Sequence, residues 1–277
     1  LAGNAYSNKA VKKIYNLKKR PKKNPLIIHY YSSKMANNDV LLNDNFFKLY
    51  KKFCPGPITF VLKKNKKTNI SYFATAGLNT VAIRFPSHKI IRFFLKYLNF
   101  PLAMPSANLS SGLSPVSASD VFEEFKNKIS IIINGGKSKF GIESTVIDLT
   151  QKPKILRPGI INTNKIKNVL KINFSKKISK IKSPGMLRKH YSPGIPVILN
   201  KKPTNIKYAH IIFGKKYKNK KNTFNLSKKA DLKEAASNLY KTMRIIKKRG
   251  YKKIFVTKIP NIGAGIAIND RLIRASK

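Results

Sequence analysis

The chain has 277 residues, with 58 Lys+Arg against 10 Asp+Glu, a formal net charge of +48. At 42% hydrophobic and 10% aromatic it can bury a core, which excludes wholesale disorder, and its length suits one large domain or two ordinary ones. No apolar run is long enough to span a bilayer, so no membrane partner is expected, and the single Cys54 excludes an internal disulfide framework or a thiolate zinc site and points to a reducing, cytoplasmic compartment.

In chain order, an amphipathic stretch over Ser7–Leu17 predicts a helix and the apolar run Pro25–Tyr31 a strand. Then follow a helix at Asp44–Phe53, a strand at Ile58–Lys63, a strand at Thr80–Phe85, a helix at His88–Leu98 and a strand at Pro101–Ser106. Ser117–Lys126 reads as a helix, with Ser117 and Ser119 as N-cap candidates and Asp120, Glu123 and Glu124 favourable in its first turn. Strands are predicted at Ile129–Asn134 and Ser144–Leu149, and this alternation argues for an α/β layer. From Asn173 to Lys182 the pattern decays, and Ser183–Gly194, bounded at both ends by Pro-Gly, reads as an ordered linker. A second α/β unit begins with strands at Pro196–Leu199 and Tyr208–Phe213. It continues with a helix at Asp231–Lys248, capped by Asp231 and stopped by Gly250, and a strand at Lys252–Thr257. The expected division is 1–172, a linker at 173–194, and 195–277. The chain opens on Leu1 rather than Met and reads as lacking an N-terminal piece.

The charge sits in Lys tracts such as Lys63-Lys64-Asn65-Lys66-Lys67, and Lys, Asn and Ile enrichment throughout looks like a compositional bias on tolerant surface positions. Either way the field attracts polyanions, RNA included, without specifying one. Against that background Tyr97–Ser119 carries no charge over 23 residues. Its centre, Pro105-Ser106-Ala107-Asn108-Leu109-Ser110-Ser111-Gly112, is either an ordinary Ser/Asn turn or a polar-lined turn where a ligand approaches the backbone.

Lys18 and Arg20 fall at a helix-to-strand junction before Pro21, and Arg84 ends an apolar strand. Arg20, Arg84 and Arg157 persist as Arg in a chain whose default cation is Lys, which favours planar, bidentate recognition of phosphate or carboxylate. The carboxylates form no paired acid/base set and no metal cage. The histidines His29, His88, His190 and His210 show no zinc spacing, and Cys54 before Pro55-Gly56-Pro57 reads as a packing residue rather than a nucleophile.

Taken together these segments resemble the YrdC-like domain of threonylcarbamoyl-AMP synthases in their longer, two-domain form. The residues that carry the resemblance are Lys18-x-Arg20-Pro21, Asn24-Pro25-Leu26-Ile27-x-His29, Pro55-Gly56-Pro57-Ile58-Thr59 and Thr80-Val81-Ala82-Ile83-Arg84-x-Pro86. They continue with Pro105-Ser106-Ala107-Asn108-x-Ser110, Ser114-Pro115, Glu143-Ser144-Thr145-Val146 and Arg157-Pro158-Gly159. Ser183-Pro184-Gly185-Met186 with His190-Tyr191-Ser192-Pro193 is similar to the family's interdomain loop, and Gly263–Ala275 to the end of its C-terminal domain. The family's Pro-Thr-Glu-Thr-x-Tyr-Gly motif and first strand would lie upstream of Leu1.

The resemblance implies an α/β fold with a twisted mixed sheet and a smaller Rossmann-like C-terminal domain. It implies an L-threonylcarbamoyladenylate synthase, a nucleotidyltransferase that converts L-threonine, bicarbonate or CO2, and ATP to threonylcarbamoyl-AMP and pyrophosphate. The product serves tRNA modification through a partner threonylcarbamoyl transferase. By carry-over, Lys18, Arg20, Ser106 and Asn108 form the catalytic set, while Arg20, Asn24, Thr80, Asn108, Val116, Arg157 and Tyr191 bind ATP with its Mg2+. His29, Arg84, Ser106 and Ser144 bind threonine. Val116 stands where the family usually carries Thr. The alternative is a non-catalytic RNA-binding protein that keeps this fold and uses the positive charge on double-stranded RNA.

Overall fold

The computed structural model describes residues 1–172, 190–203, 206–218 and 220–277. Its elements in order are β1 (Gly3–Asn4), α1 (Asn8–Lys18), β2 (Ile27–His29), α2 (Ser33–Ala36), α3 (Asp44–Phe53), β3 (Ile58–Lys63), α4 (Tyr72–Thr75), β4 (Thr80–Arg84), α5 (Lys89–Tyr97) and β5 (Leu102–Ala103). Next come α6 (Ala118–Phe125), β6 (Thr145–Asp148), β7 (Lys154–Arg157), α7 (Thr163–Leu170), β8 (Val197–Leu199), β9 (Ala209–Ile212), β10 (Thr223–Asn225), α8 (Leu232–Lys248), β11 (Ile254–Val256) and α9 (Ala264–Ala275).

Two compact units emerge, and neither is contiguous in sequence. One contains Leu1–Ser106 and the described residues from Ser144 to Ile172; the other contains Ala107–Glu143 and the described residues from His190 onward. This differs from the contiguous division read from the sequence, because 107–143 packs with α8. Arg244 of α8 donates from Nη2 to the Leu113 carbonyl at 2.7 Å and lies 3.8 Å from Glu124 and 3.9 Å from Asp120. The segment 183–186 of the expected linker lies outside the described residues.

The first unit holds a seven-stranded mixed sheet in the order β1-β5-β2-β4-β3-β6-β7. Alternation divides its side chains between two faces. Ile28, Val81, Ile83, Phe60, Leu62 and Ile147 join the main core with Val11 and Ile14 of α1, Phe46 and Leu49 of α3 and Ile166 of α7. Phe46 sits edge-on to Phe60 with ring centroids 5.0 Å apart, and burying such a side chain is worth about 2–3 kcal/mol. On the other face Ile27, Val61, Ala82, Val146 and Leu156 form a smaller apolar patch.

The α1 helix starts where Ser7 Oγ accepts from the Ala10 amide at 3.2 Å and ends on Lys19 in a left-handed conformation. Its buried stripe is Val11, Ile14, Tyr15 and Lys18, so the periodicity that docks the helix also draws Lys18 inside.

The second unit holds a parallel four-stranded sheet in the order β10-β9-β11-β8 with α8 and α9, the small α/β unit expected. Asp231 caps α8 through bonds from the Lys233 and Glu234 amides at 2.6 and 2.8 Å. One element is corrected. Residues 129–134 form no strand, and Ile131 and Ile133 are exposed, because no described strand offers this apolar run a ladder.

Candidate active site

A row of residues crosses the open face of the large sheet. His29 of β2 pairs with Arg84 of β4, Arg84 with Thr59 of β3, Thr59 with Val146 of β6, and Val146 with Arg157 of β7. Paired residues point to the same side, so four polar side chains line up over about 19 Å, interrupted by one valine. Ser144, just ahead of β6, joins the row: its Oγ lies 2.8 Å from Thr59 Oγ1 and accepts from Arg157 Nη2 at 3.1 Å.

Two glycines let the backbone close on this row. A Cβ on Gly159 would meet the Thr145 amide nitrogen at 2.3 Å, so only glycine allows the Arg157-Pro158-Gly159 turn to lie flush on Ser144–Thr145. A Cβ on Gly56 would meet the Phe53 carbonyl oxygen at 2.2 Å, and the Gly56 carbonyl accepts from Arg84 Nε at 3.3 Å.

The electrostatics of the row are those of an anion site. Arg157 is 3% exposed, and among the described residues neither it nor Arg84 has a carboxylate within ion-pair distance. Burial first, and then repulsion from Arg157, lower Arg84 to about 10. Burial, with Arg84 second, lowers His29 from 6.5 to about 3, so its ring is neutral and donates Nδ1–H to the Ile27 carbonyl at 3.1 Å. Two cations, Arg157 buried and Arg84 partly buried, without a carboxylate partner among the described residues suit an anionic ligand. Burial also pushes the Cys54 thiol up to about 12, which agrees with a packing role.

Lys18 is 1% exposed and donates to the Ser106 carbonyl at 2.6 Å, which brings two members of the expected catalytic set together. Arg20 braces its own turn, donating from Nε to the Asn24 carbonyl at 2.9 Å and from Nη2 to the Pro25 carbonyl at 2.7 Å. Asn24 is 1% exposed, and neither its Nδ2 nor its Oδ1 has a partner among the described residues. A buried, unsatisfied amide marks a place where a ligand's polar edge would be accepted. Thr80 lies at the opposite end of β4 from Arg84, on the same face, and its buried Oγ1 also has no partner among the described residues.

The second unit carries the remaining residues. Asn108 braces its turn, with Nδ2 donating to the Leu109 and Gly112 carbonyls at 2.6 and 3.0 Å. Val116 donates its amide to Asp120 while Asp120's amide donates to Ser117 Oγ, a reciprocal cap for α6 that leaves Val116 only an apolar side chain for any ligand. Tyr191 is buried, with its ring against Tyr240. Sequence reasoning missed Thr59 as a site residue; a lone hydroxyl residue inside the apolar strand Ile58–Lys63 was the signal for it.

The large mixed sheet with its cationic row and the small parallel α/β unit define a two-part enzyme of the YrdC-like class. The family model described as "Telomere recombination", covering Sua5, YciO and YrdC, matches residues 1–159, and that described as "Threonylcarbamoyl-AMP synthase, C-terminal domain" matches 161–277. The chain belongs to the threonylcarbamoyl-AMP synthase family. It is 36% identical to the threonylcarbamoyl-AMP synthase of Pyrococcus abyssi over all of this chain and 87% of that protein. Its identity to the Bacillus subtilis threonylcarbamoyl-AMP synthase is 34%, over all of this chain and 86% of the relative. The crystal structure of P. abyssi Sua5 complexed with L-threonine superposes with a TM-score of 0.90 at 35% identity, covering 99% of this chain and 86% of that one.

Proposed function

We propose that the chain is an L-threonylcarbamoyladenylate synthase, a nucleotidyltransferase acting on L-threonine, bicarbonate or CO2, and ATP. The observation that carries this reading is the pair of guanidiniums, Arg157 buried and Arg84 partly buried, on one polar row without a carboxylate partner among the described residues.

The threonine amine attacks CO2 and loses a proton, giving an N-carboxylate. One oxygen of that carbamate then attacks the α-phosphorus of ATP, and pyrophosphate leaves with the electrons of the broken P–O bond. Arg84 holds the threonine carboxylate, and His29, Ser106 and Ser144 surround the rest of that amino acid. The neutral His29 ring can accept a hydrogen bond without adding a third charge to the row. Lys18, Arg20 and Arg157 meet the triphosphate, whose developing charge needs fixed cations more than covalent help. Asn24, Thr80, Asn108, Val116 and Tyr191 contact the nucleotide. Arg157 touches both halves of the reaction, because its Nε donates to the Ser144 carbonyl at 3.1 Å while Nη2 holds that residue's hydroxyl.

Among the described residues no group of three or more His, Cys, Asp or Glu is placed to hold a metal ion. Mg2+ would come with ATP and would supply charge neutralisation on the triphosphate beside Lys18, Arg20 and Arg157. The product is a mixed anhydride that passes to a threonylcarbamoyl transferase acting on tRNA.

The test is threonine- and bicarbonate-dependent pyrophosphate release from ATP, with the product identified by mass. Release that requires both co-substrates supports the synthase. Release that ignores threonine, or none at all alongside RNA binding that survives moderate salt, overturns it.

A further inference from the structure

Arg271 of α9 is the largest fully buried side chain of the described chain, and nothing in the reaction described so far uses it. Its Nε donates to Glu143 Oε2 at 2.8 Å and its Nη1 to Asp270 Oδ2 at 2.7 Å. The guanidinium carbon lies 5.0 Å from the centroid of the Tyr191 ring. Tyr191 in turn stacks on Tyr240 at 5.8 Å with an interplanar angle of 24°, and His190 packs 4.1 Å away on its other neighbour contact. Tyr240 donates its hydroxyl to Glu143 at 3.1 and 3.2 Å, and Ser114 donates to Glu143 Oε1 at 2.6 Å. Burial first, and the Glu143 carboxylate second, hold the Tyr240 phenol well above its ordinary range, so it remains a donor.

Such a cluster is unusual in a chain with only 10 carboxylates, and it is not the cheapest way to fill a core. A buried ion pair contributes little net stability compared with apolar side chains of the same volume, and here the Nη2 of Arg271 is buried without a partner among the described residues. What the cluster does fix is geometry. Tyr191 has φ of 64°, a left-handed conformation that costs a non-glycine residue about 1–2 kcal/mol. The backbone beyond it is held too, since the Ser192 amide donates to the Ser111 carbonyl at 2.9 Å. Glu143 is gripped by three donors, from Arg271, Tyr240 and Ser114.

We propose that Arg271 is a positioning residue for the synthase reaction. Its guanidinium holds Glu143 on one edge and lies against the Tyr191 ring, and so sets the strained aromatic residue assigned to the nucleotide. The inference rests on the synthase reading for its activity readout, but the clamp itself is read independently.

The experiment uses the full chain with Arg271→Lys, Arg271→Met and Tyr240→Phe. For each, kcat, the KM for ATP and for threonine, the melting temperature and amide hydrogen exchange in a peptide covering 190–194 are measured. Lys keeps the charge but loses the planar stack and the fork. We expect Arg271→Lys to stay folded, to exchange at least tenfold faster at 190–194, and to lose at least tenfold in kcat. Tyr240→Phe keeps the ring stack and loses one donor to Glu143, so its effect should have the same sign and be smaller. Folded variants with unchanged exchange at 190–194, or with faster exchange and unchanged kinetics, overturn the proposal. If both Arg271 variants fail to fold, Tyr240→Phe decides by the same two readouts. An inactive parent chain would overturn the synthase reading alone, while exchange at 190–194 still judges the clamp.

Discussion

Arg157 grips Ser144 twice, from Nε to its carbonyl and from Nη2 to its hydroxyl, each at 3.1 Å. The bonds cross from β7 to the entry of β6, so one guanidinium sets both the backbone and the side chain of the residue proposed to meet threonine. Replacing Arg157 by Lys keeps a cation but removes the fork. We expect Arg157→Lys to raise the KM for threonine and for ATP together and to lower kcat/KM by about 100-fold, the scale of losing a preorganised charged donor. Steady-state pyrophosphate release against each substrate checks this. A change in the ATP term alone would show that the Ser144 contact does not reach threonine.

The depressed His29 has a consequence for stability. Unfolded, the imidazole titrates near 6.5; folded, near 3, so between those values the unfolded chain binds more protons. The contribution of this group to stability is whole above pH 6.5 and falls by about 1.4 kcal/mol per pH unit as the pH drops towards 3. His29→Gln should remove that slope. Urea unfolding of both proteins between pH 7 and 4.5 reads the difference directly, and parallel stability curves would show that His29 is not held neutral.

Gly159→Ala places a methyl group against the Thr145 amide nitrogen, where a Cβ would sit at 2.3 Å. Backbone cannot swing away as a side chain can, so we expect a loss of about 1–3 kcal/mol in urea denaturation. Turnover should fall as well, since the turn that delivers Arg157 shifts with it. An alanine variant of native stability and rate would mean that the β6–β7 turn relaxes freely.

Cys54 should be inert in the native protein. With its thiol at about 12, the thiolate at pH 8 amounts to about one molecule in ten thousand. Iodoacetamide at that pH should label the urea-unfolded chain and spare the native one, with synthase activity retained. Rapid native labelling, followed by mass, would contradict the buried thiol.

Much of this was legible beforehand, and the failures have physical causes. The α3 helix and β3 strand fall at the predicted bounds because Asn43 caps the helix and an unbroken apolar run defines the strand. The α7 helix went unread because Asn162-Thr163-Asn164-Lys165 looks like loop composition in a chain enriched in Asn and Lys, although Asn162 is its cap. The α9 helix was read only as a motif, since Gly263-Ala264-Gly265 resembles a turn. Residues 129–134 have a strand's pattern but no strand to pair with. Arg84 and Arg157 were visible as polar residues at strand ends, and His29 as a polar residue within the expected strand Pro25–Tyr31. Their alignment was not, because register belongs to pairing between strands and leaves no mark within any one of them. Thr59 shows as a lone hydroxyl inside its strand, but its place beside Arg84 comes only from pairing.

The polar row draws His29, Thr59, Arg84, Ser144 and Arg157 from five stretches of chain spread over more than a hundred residues. None of those stretches holds two anion-binding groups at ligand spacing by itself. Turnover therefore requires that the non-local pairing across β2, β4, β3, β6 and β7 be complete. A refolding mixture monitored by pyrophosphate release would count only molecules whose central sheet is complete, and an intermediate lacking β6–β7 would be silent towards ATP.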